Sequence, residues 1–202
     1  MRRTKTEAAA TRETLMDAAL EVFGRQGYAA TTLTDIGREA NVSRGAVYWH
    51  FGGKAELYAA LVDERFERAI AAITAAAEGA RTPLEGVRAL LVSALQHLED
   101  DREYRAVVEL TIFKSEALPE LAGSIARKRE ALAAQRTMLR SAIEDGVATG
   151  AIRPDVEVDA AALALLGFVN GLAMLWLLDP STFSLRERAE STVDVVLAGL
   201  AP

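Results

Sequence analysis

Only five prolines occur in the 202 residues, at 83, 119, 154, 180 and 202, and none interrupts a long apolar pattern. Inside a helix, proline removes an amide donor and clashes with the preceding turn, so the intervals between these positions can hold long helices. No stretch alternates apolar and polar residues as a half-buried strand does. Alanine and leucine abound, and both favour helix. The pattern predicts an all-α chain.

Apolar periodicity then divides the chain. Leu15, Ala18, Ala19, Val22 and Phe23 mark one face of a first helix, which is expected to stop near Gly27. "TLTD" reads as a capping box, with Thr32 as N-cap and Asp35 at the third helical position. Ile36 and Ala40 face inward on the short helix that follows. Asn41 stands where the chain must turn, and asparagine tolerates the left-handed conformation. Ser43 caps the next helix. Residues 32–51 are thus two short helices joined by a tight turn, the helix-turn-helix arrangement, with Gly37 where the two approach.

The second of those helices carries "SRGAVYWHFGGK", residues 43–54, a row of aromatics that fits neither a core helix nor a strand. Ile36, Ala40, Val42, Val47 and Phe51 form its internal face. Arg44, Gly45, Tyr48, Trp49 and His50 are left pointing outward. Two readings stand: a three-helix packing unit, or a recognition helix whose N-terminal residues reach base edges while its neighbours hold phosphates. In the second, Arg44 can contact guanine with two hydrogen bonds and Gly45 lets the backbone approach the groove. Tyr48 and His50 can donate to phosphate, and Trp49 can pack on sugar. Lys54 adds charge at a helix N-terminus, where anions bind.

Net charge must be divided before it is used. Residues 1–54 hold eight Lys and Arg against six Asp and Glu, or +2; the remainder holds fifteen against twenty-three, or −8. A mildly basic head on an acidic body follows. With no cysteine, a disulfide framework and a thiolate metal site are excluded, which fits a reducing cytoplasm. His50 and His97 are too far apart to suggest a metal site, so neither metal nor cofactor is expected. The N-terminus "MRRTKTEAAATRE" has no apolar run and does not read as a secretory signal.

Beyond Lys54 the helices lengthen. They are expected at 54–78, from Pro83 with Leu84, Val87, Leu91, Ala94, Leu95 and Leu98 on one face, and at 101–115, 120–148 and 157–178. "SLRE" at 184–187 reads as another capping box opening a last helix that runs to about Leu200. Residues 160–178, "AAALALLGFVNGLAMLWLL", pass without a charge. That length can cross a bilayer or form a buried helix of a bundle. Asp159 and Asp179 at its edges and Asn170 at its middle favour the bundle. A buried amide at Asn170 needs partners, supplied by a neighbouring helix, a second copy or a ligand. The body offers no nucleophile–base pair, metal spacing or phosphate-binding glycine loop, so an enzyme is not expected.

"TTLTDIGREANVSRGAVYWHFGGKAELYAAL" resembles the DNA-binding head of the tetracycline-repressor (TetR) family. The leader "RRTKTEAAATRETLMDAALEVFGRQGY" resembles its multidrug-efflux repressor branch, the AcrR-like and TtgR-like proteins. The close match covers residues 3–62; the rest matches in length, helix count and the patterns "YRAVVELTIFKSE" and "FVNGL". The resemblance implies a helix-turn-helix DNA-binding domain at 1–53 and a ligand-binding and dimerisation body at 54–202, with about nine helices in all. It implies a cytoplasmic homodimeric repressor on a palindromic double-stranded operator, released by a small lipophilic or aromatic inducer, with no membrane partner. The family's DNA contacts carry over to Thr32 or Thr34, Arg44, Gly45, Tyr48, Trp49, His50 and Lys54. Asn41 replaces the usual turn glycine, and Gly52–Gly53 replaces a usual polar pair. A ligand cavity is expected among Leu91, Glu109, Phe113, Gln135, Met138, Leu139, Leu166, Val169 and Asn170. A dimer face is expected from Leu163, Gly167 and Gly171 with Val193, Val196, Leu197 and Leu200 of the last helix.

Overall fold

The computed structural model describes residues 5–115 and 118–202. Arg2 and Arg3 of the basic leader and Glu116 of the 104–116 pattern lie outside them. The helices are α1 (Lys5–Ala30), α2 (Leu33–Glu39), α3 (Arg44–Phe51), α4 (Lys54–Ala75), α5 (Pro83–Asp100), α6 (Arg102–Phe113), α7 (Ala122–Ala148), α8 (Val158–Leu178) and α9 (Leu185–Leu197). Two 3-10 turns, Pro119–Leu121 and Ala198–Leu200, complete the described residues, which contain no strand.

Boundaries differ from expectation where local hydrogen bonding decides them. The regular helix of α1 breaks at Gly27 as expected, that residue taking φ 78 and ψ 167, but a further short helical turn carries the chain on to Ala30. α4 ends at Ala75 because residues 76–78 bond three residues back rather than four, tightening the chain toward Gly79. Residues 119–121 form their own 3-10 turn ahead of α7.

Compactness divides the chain at positions other than 53 and 54. One unit comprises Met1–Glu67 with Glu103–Ile125; the other comprises Arg68–Arg102 with Ala126–Pro202. The first is built around Leu15, Phe23, Tyr28, Ile36, Val47, Leu57, Leu61, Val107 and Leu110, all fully buried. A head ending at residue 53 would leave that core open, because α4 and α6 supply its other wall. Phe23, Tyr28 and Tyr58 meet with ring centroids 5.2–5.8 Å apart, each pair adding about 0.5–1.5 kcal/mol beyond area burial. Arg65, 3 % exposed, reaches Glu13 at 2.7 Å, Asp17 at 2.5 Å and Glu103 at 3.2 Å, tying α1, α4 and α6.

In the second unit α9 lies along α5. Val87, Leu91, Leu95 and Leu98 of α5 are buried, as are Leu185, Ala189, Val193 and Leu197 of α9. Polar groups flank the seam. Arg88 Nε donates to Asp194 at 2.6 Å, which holds the Asp194 carboxyl below its ordinary range. Ser184 caps α9 by accepting from the Glu187 amide, while Glu99 of α5 accepts from the Ser184 hydroxyl and the Arg186 amide. The second partner of this cap therefore comes from α5, not from the local carboxylate of "SLRE".

Candidate nucleic-acid interface

The α2–α3 pair is set by short-range bonds. Thr32 Oγ1 accepts from the Asp35 amide at 3.2 Å and donates to the Asp35 carboxylate at 2.6 Å, and the Thr32 amide also donates to that carboxylate. The hydroxyl first, and the amide second, hold the Asp35 carboxyl below its ordinary range. Asn41 carries φ 55, and the Val42 amide returns to Gly37 O at 2.8 Å. A β-carbon on Gly37 would stand 2.9 Å from Val42 O, so the turn closes only over glycine. Ser43 then accepts from the Ala46 amide to start α3.

α3 has two unlike sides. Val47 is fully buried, with Ala40, Val42 and Phe51 packed around the same core. On the other side Tyr48 is 62 % and Trp49 74 % exposed, and Arg44 and Gly45 are exposed beside them. Thr32 and Thr34 are exposed at the start of α2. His50 is half-buried, its ring edge-on to Trp49 with centroids 4.6 Å apart. A β-carbon on Gly45 would meet nothing closer than Ser43 Oγ at 3.8 Å; nothing inside the fold demands glycine there. An outward aromatic pair beside an arginine and a bare stretch of backbone can meet sugar, phosphate and base edges together.

Lys54 opens α4, at the position the sequence indicates. Its ammonium donates to Tyr28 O at 3.0 Å and Ala29 O at 3.4 Å, closing the end of α1, and sits 4.2 Å from the Tyr28 ring centroid. The charge thus lies where α1 ends and α4 begins. Burial, and then a hydrogen bond to Glu120, push the Tyr28 hydroxyl well above its ordinary range.

The expected ligand residues fall in both units, Glu109 and Phe113 in the first and the others in the second. Leu91 and Leu139 are buried, Leu166 and Val169 are partly buried, and Gln135, Met138 and Phe113 are exposed. Glu109 stands 3.8 Å from the Lys114 ammonium. Asn170 is not buried by its own chain: it is exposed there, and its Nδ2 donates to Leu166 O of its own helix at 2.8 Å. A polar cleft of about 280 Å³ lies in the head among Val22, Arg25, Gln26, Asp35, Arg38 and Glu39, and holds none of the expected ligand residues.

The expected dimer residues separate sharply. Val193, Leu197 and Leu200 are buried within the chain, so the stripe of the last helix is not an open face; α5 covers it. Val196 is partly buried. Leu163, Gly167 and Gly171 remain exposed on α8, joined by Leu175 and Leu178. α8 is long and apolar enough to cross a membrane, and only 22 % of its most apolar window is buried.

Arg65 and Lys114 escaped the sequence reading. Arg65 carried a signal: it is the charge on the stripe of Leu57, Leu61 and Ala69, opposite carboxylates spaced by four at Glu13 and Asp17. Lys114 carried none.

Residues 15–61 match the model of the bacterial regulatory proteins, tetR family, and residues 82–202 that of the MAATS-type transcriptional repressor, C-terminal region. The chain is 34% identical over 198 residues to the HTH-type transcriptional regulator TtgR of Pseudomonas putida, covering 98% of this chain and 94% of that one. Among solved structures it is similar to NalD, described as the secondary repressor of the MexAB-OprM multidrug efflux pump in Pseudomonas aeruginosa. That match has a TM-score of 0.81 and 26% identity and covers 96% of each chain. A complex of SmeT with triclosan matches with a TM-score of 0.81 and 27% identity, over 96% of this chain and 92% of that one.

Proposed function

Because this chain belongs to the tetR family of bacterial regulatory proteins, we propose that it is a cytoplasmic repressor of a drug-efflux gene. It binds a palindromic operator as a homodimer and leaves it when a small lipophilic or aromatic compound enters the body. Members of this family regulate transcription and are not enzymes. The observation that carries the DNA reading is the two-sidedness of α3: Val47 is locked into the core while Tyr48 and Trp49 stand exposed beside Arg44. A packing unit alone has no use for that outer side. Two such helices must enter successive major grooves about 34–36 Å apart. An inducer that binds better to a different spacing shifts the population away from the operator-bound state.

The test is selection of duplexes from a random pool by the purified chain, followed by footprinting with and without a panel of lipophilic and aromatic compounds. A palindromic selected site, released by some members of the panel, is expected. Arg44→Ala should relax preference at one symmetric position by about 1–3 kcal/mol. Selection of no common sequence would remove the repressor reading, and a site unaffected by Arg44→Ala would remove Arg44 as its reader.

A further inference from the structure

α1 is interrupted at Gly27, and a residue from outside the helix mends it. In an unbroken helix the Tyr28 amide would donate to Gly24 O. At Gly27 the backbone takes a conformation open only to glycine, φ 78 and ψ 167, and that bond is replaced by two others. The Tyr28 amide donates to Lys114 O at 3.0 Å, and Gly24 O accepts from Lys114 Nζ at 2.8 Å. One residue thus supplies both the acceptor and the donor that the break removes. Lys114 O also lies 3.4 Å from where a β-carbon on Gly27 would stand, so the fit leaves little slack.

Beyond the break the chain enters the DNA-facing segment. Thr31 Oγ1 donates back to Gly27 O at 2.7 Å, and the next residue, Thr32, is the N-cap of α2. The direction in which the chain leaves Gly27 therefore sets where α2 and α3 begin. The residues holding this corner come from the end of α6 and just beyond it: Lys114 itself, Ser115 on the Tyr58 hydroxyl at 2.8 Å, and Glu120 on the Tyr28 hydroxyl at 2.9 Å.

We propose that Lys114 is a positioning residue for operator reading, splicing the end of α6 into the broken ladder of α1 and fixing the course of the chain into α2 and α3. This rests on the reading of the chain as an operator-binding repressor. Lys114 touches no DNA in this scheme. Its ammonium also lies 3.8 Å from the Glu109 carboxylate, so a cationic compound that engages Glu109 competes with the Lys114 ammonium for that carboxylate.

The experiment compares wild type, Lys114→Met and Lys114→Arg on the duplex that wild type selects from a random pool. Kd is measured across a salt series, with amide hydrogen exchange followed in the absence of DNA. Lys114→Met should weaken binding about tenfold, the scale of one hydrogen bond to a charged group, with an unchanged salt slope. Amides of residues 28–32 should exchange faster while those of α5 and α9 keep their rates, and Lys114→Arg should restore both. Unchanged affinity overturns the inference. So does a salt slope lowered by about one unit, which would make Lys114 a phosphate contact, or a loss of binding without faster exchange at 28–32. Should Lys114→Met fail to fold, wild type still decides: exchange of the Tyr28 amide at an unprotected rate overturns the splice. A wild-type chain that selects no duplex overturns the repressor reading and this inference with it, whereas one that selects a site normally while the variants bind alike overturns the inference alone.

Discussion

Gly37 and Gly45 lie in the same helix-turn-helix, yet opposite demands act on them. A β-carbon at 37 would press on the backbone oxygen of Val42 at 2.9 Å, with no flexible side chain to yield. Gly37→Ala should therefore cost about 1–3 kcal/mol, the range of overpacking in a closed site, read as a lower midpoint in thermal unfolding. At 45 the nearest atom is Ser43 Oγ at 3.8 Å. Gly45→Ala should leave stability unchanged or raise it by up to about 1 kcal/mol, since alanine is the better helix former, while weakening binding to the selected duplex. Equal binding by Gly45→Ala would mean that the backbone there stays clear of the groove.

At the scale of the element, α2 shows how a short helix is held by its ends. Its N-terminus depends on the ionised Asp35, whose pKa is lowered in the fold, first by the Thr32 hydroxyl and then by the Thr32 amide. A group with a depressed folded pKa contributes stability that is fully present above its unfolded value and is lost as pH falls through the folded one. The stability gap between wild type and Asp35→Asn should thus be constant above about pH 5 and close in more acid solution. Thermal unfolding of both proteins against pH measures it; a gap independent of pH down to acid unfolding would show that charge plays no part in the cap. Such caps were legible in the sequence because their partners lie within a few residues: Thr32 with Asp35 and Ser43 with Ala46. Lys114 and Glu99 were not legible, because their hydrogen bonds to Gly24 and Arg186 reach across 90 and 87 positions. Periodicity marked Val193 and Leu197 as an apolar face, and within the chain α5 covers them: a stripe tells that it is buried and not by what. Asn170 makes a related point, since an apolar run around an amide does not tell whether its own chain covers it.

For the whole molecule, the open face of α8 is what a single chain leaves unexplained. Leu163, Leu175 and Leu178 are 59–65 % exposed, and a helix of this length and hydropathy can face either lipid or a second copy. Gly167 and Gly171 favour the second copy, because small residues let two helices approach closely and Asp159 and Asp179 bracket the run with acidic charge. Gly167→Leu separates the two with opposite signs. A β-carbon at 167 meets nothing within 4 Å in the chain, and leucine in place of glycine gains up to about 1 kcal/mol of helix propensity. The fold of one chain should therefore be unharmed, with helical content unchanged. If two α8 helices pack across the dimer, the added side chain holds them apart. Sedimentation should then shift toward monomer at micromolar concentration, and the melting midpoint should become more dependent on protein concentration. If α8 meets lipid, the same change makes its surface more apolar and should increase partitioning onto vesicles without altering association in solution. A variant that remains as dimeric as wild type would place the seam between copies elsewhere than Gly167.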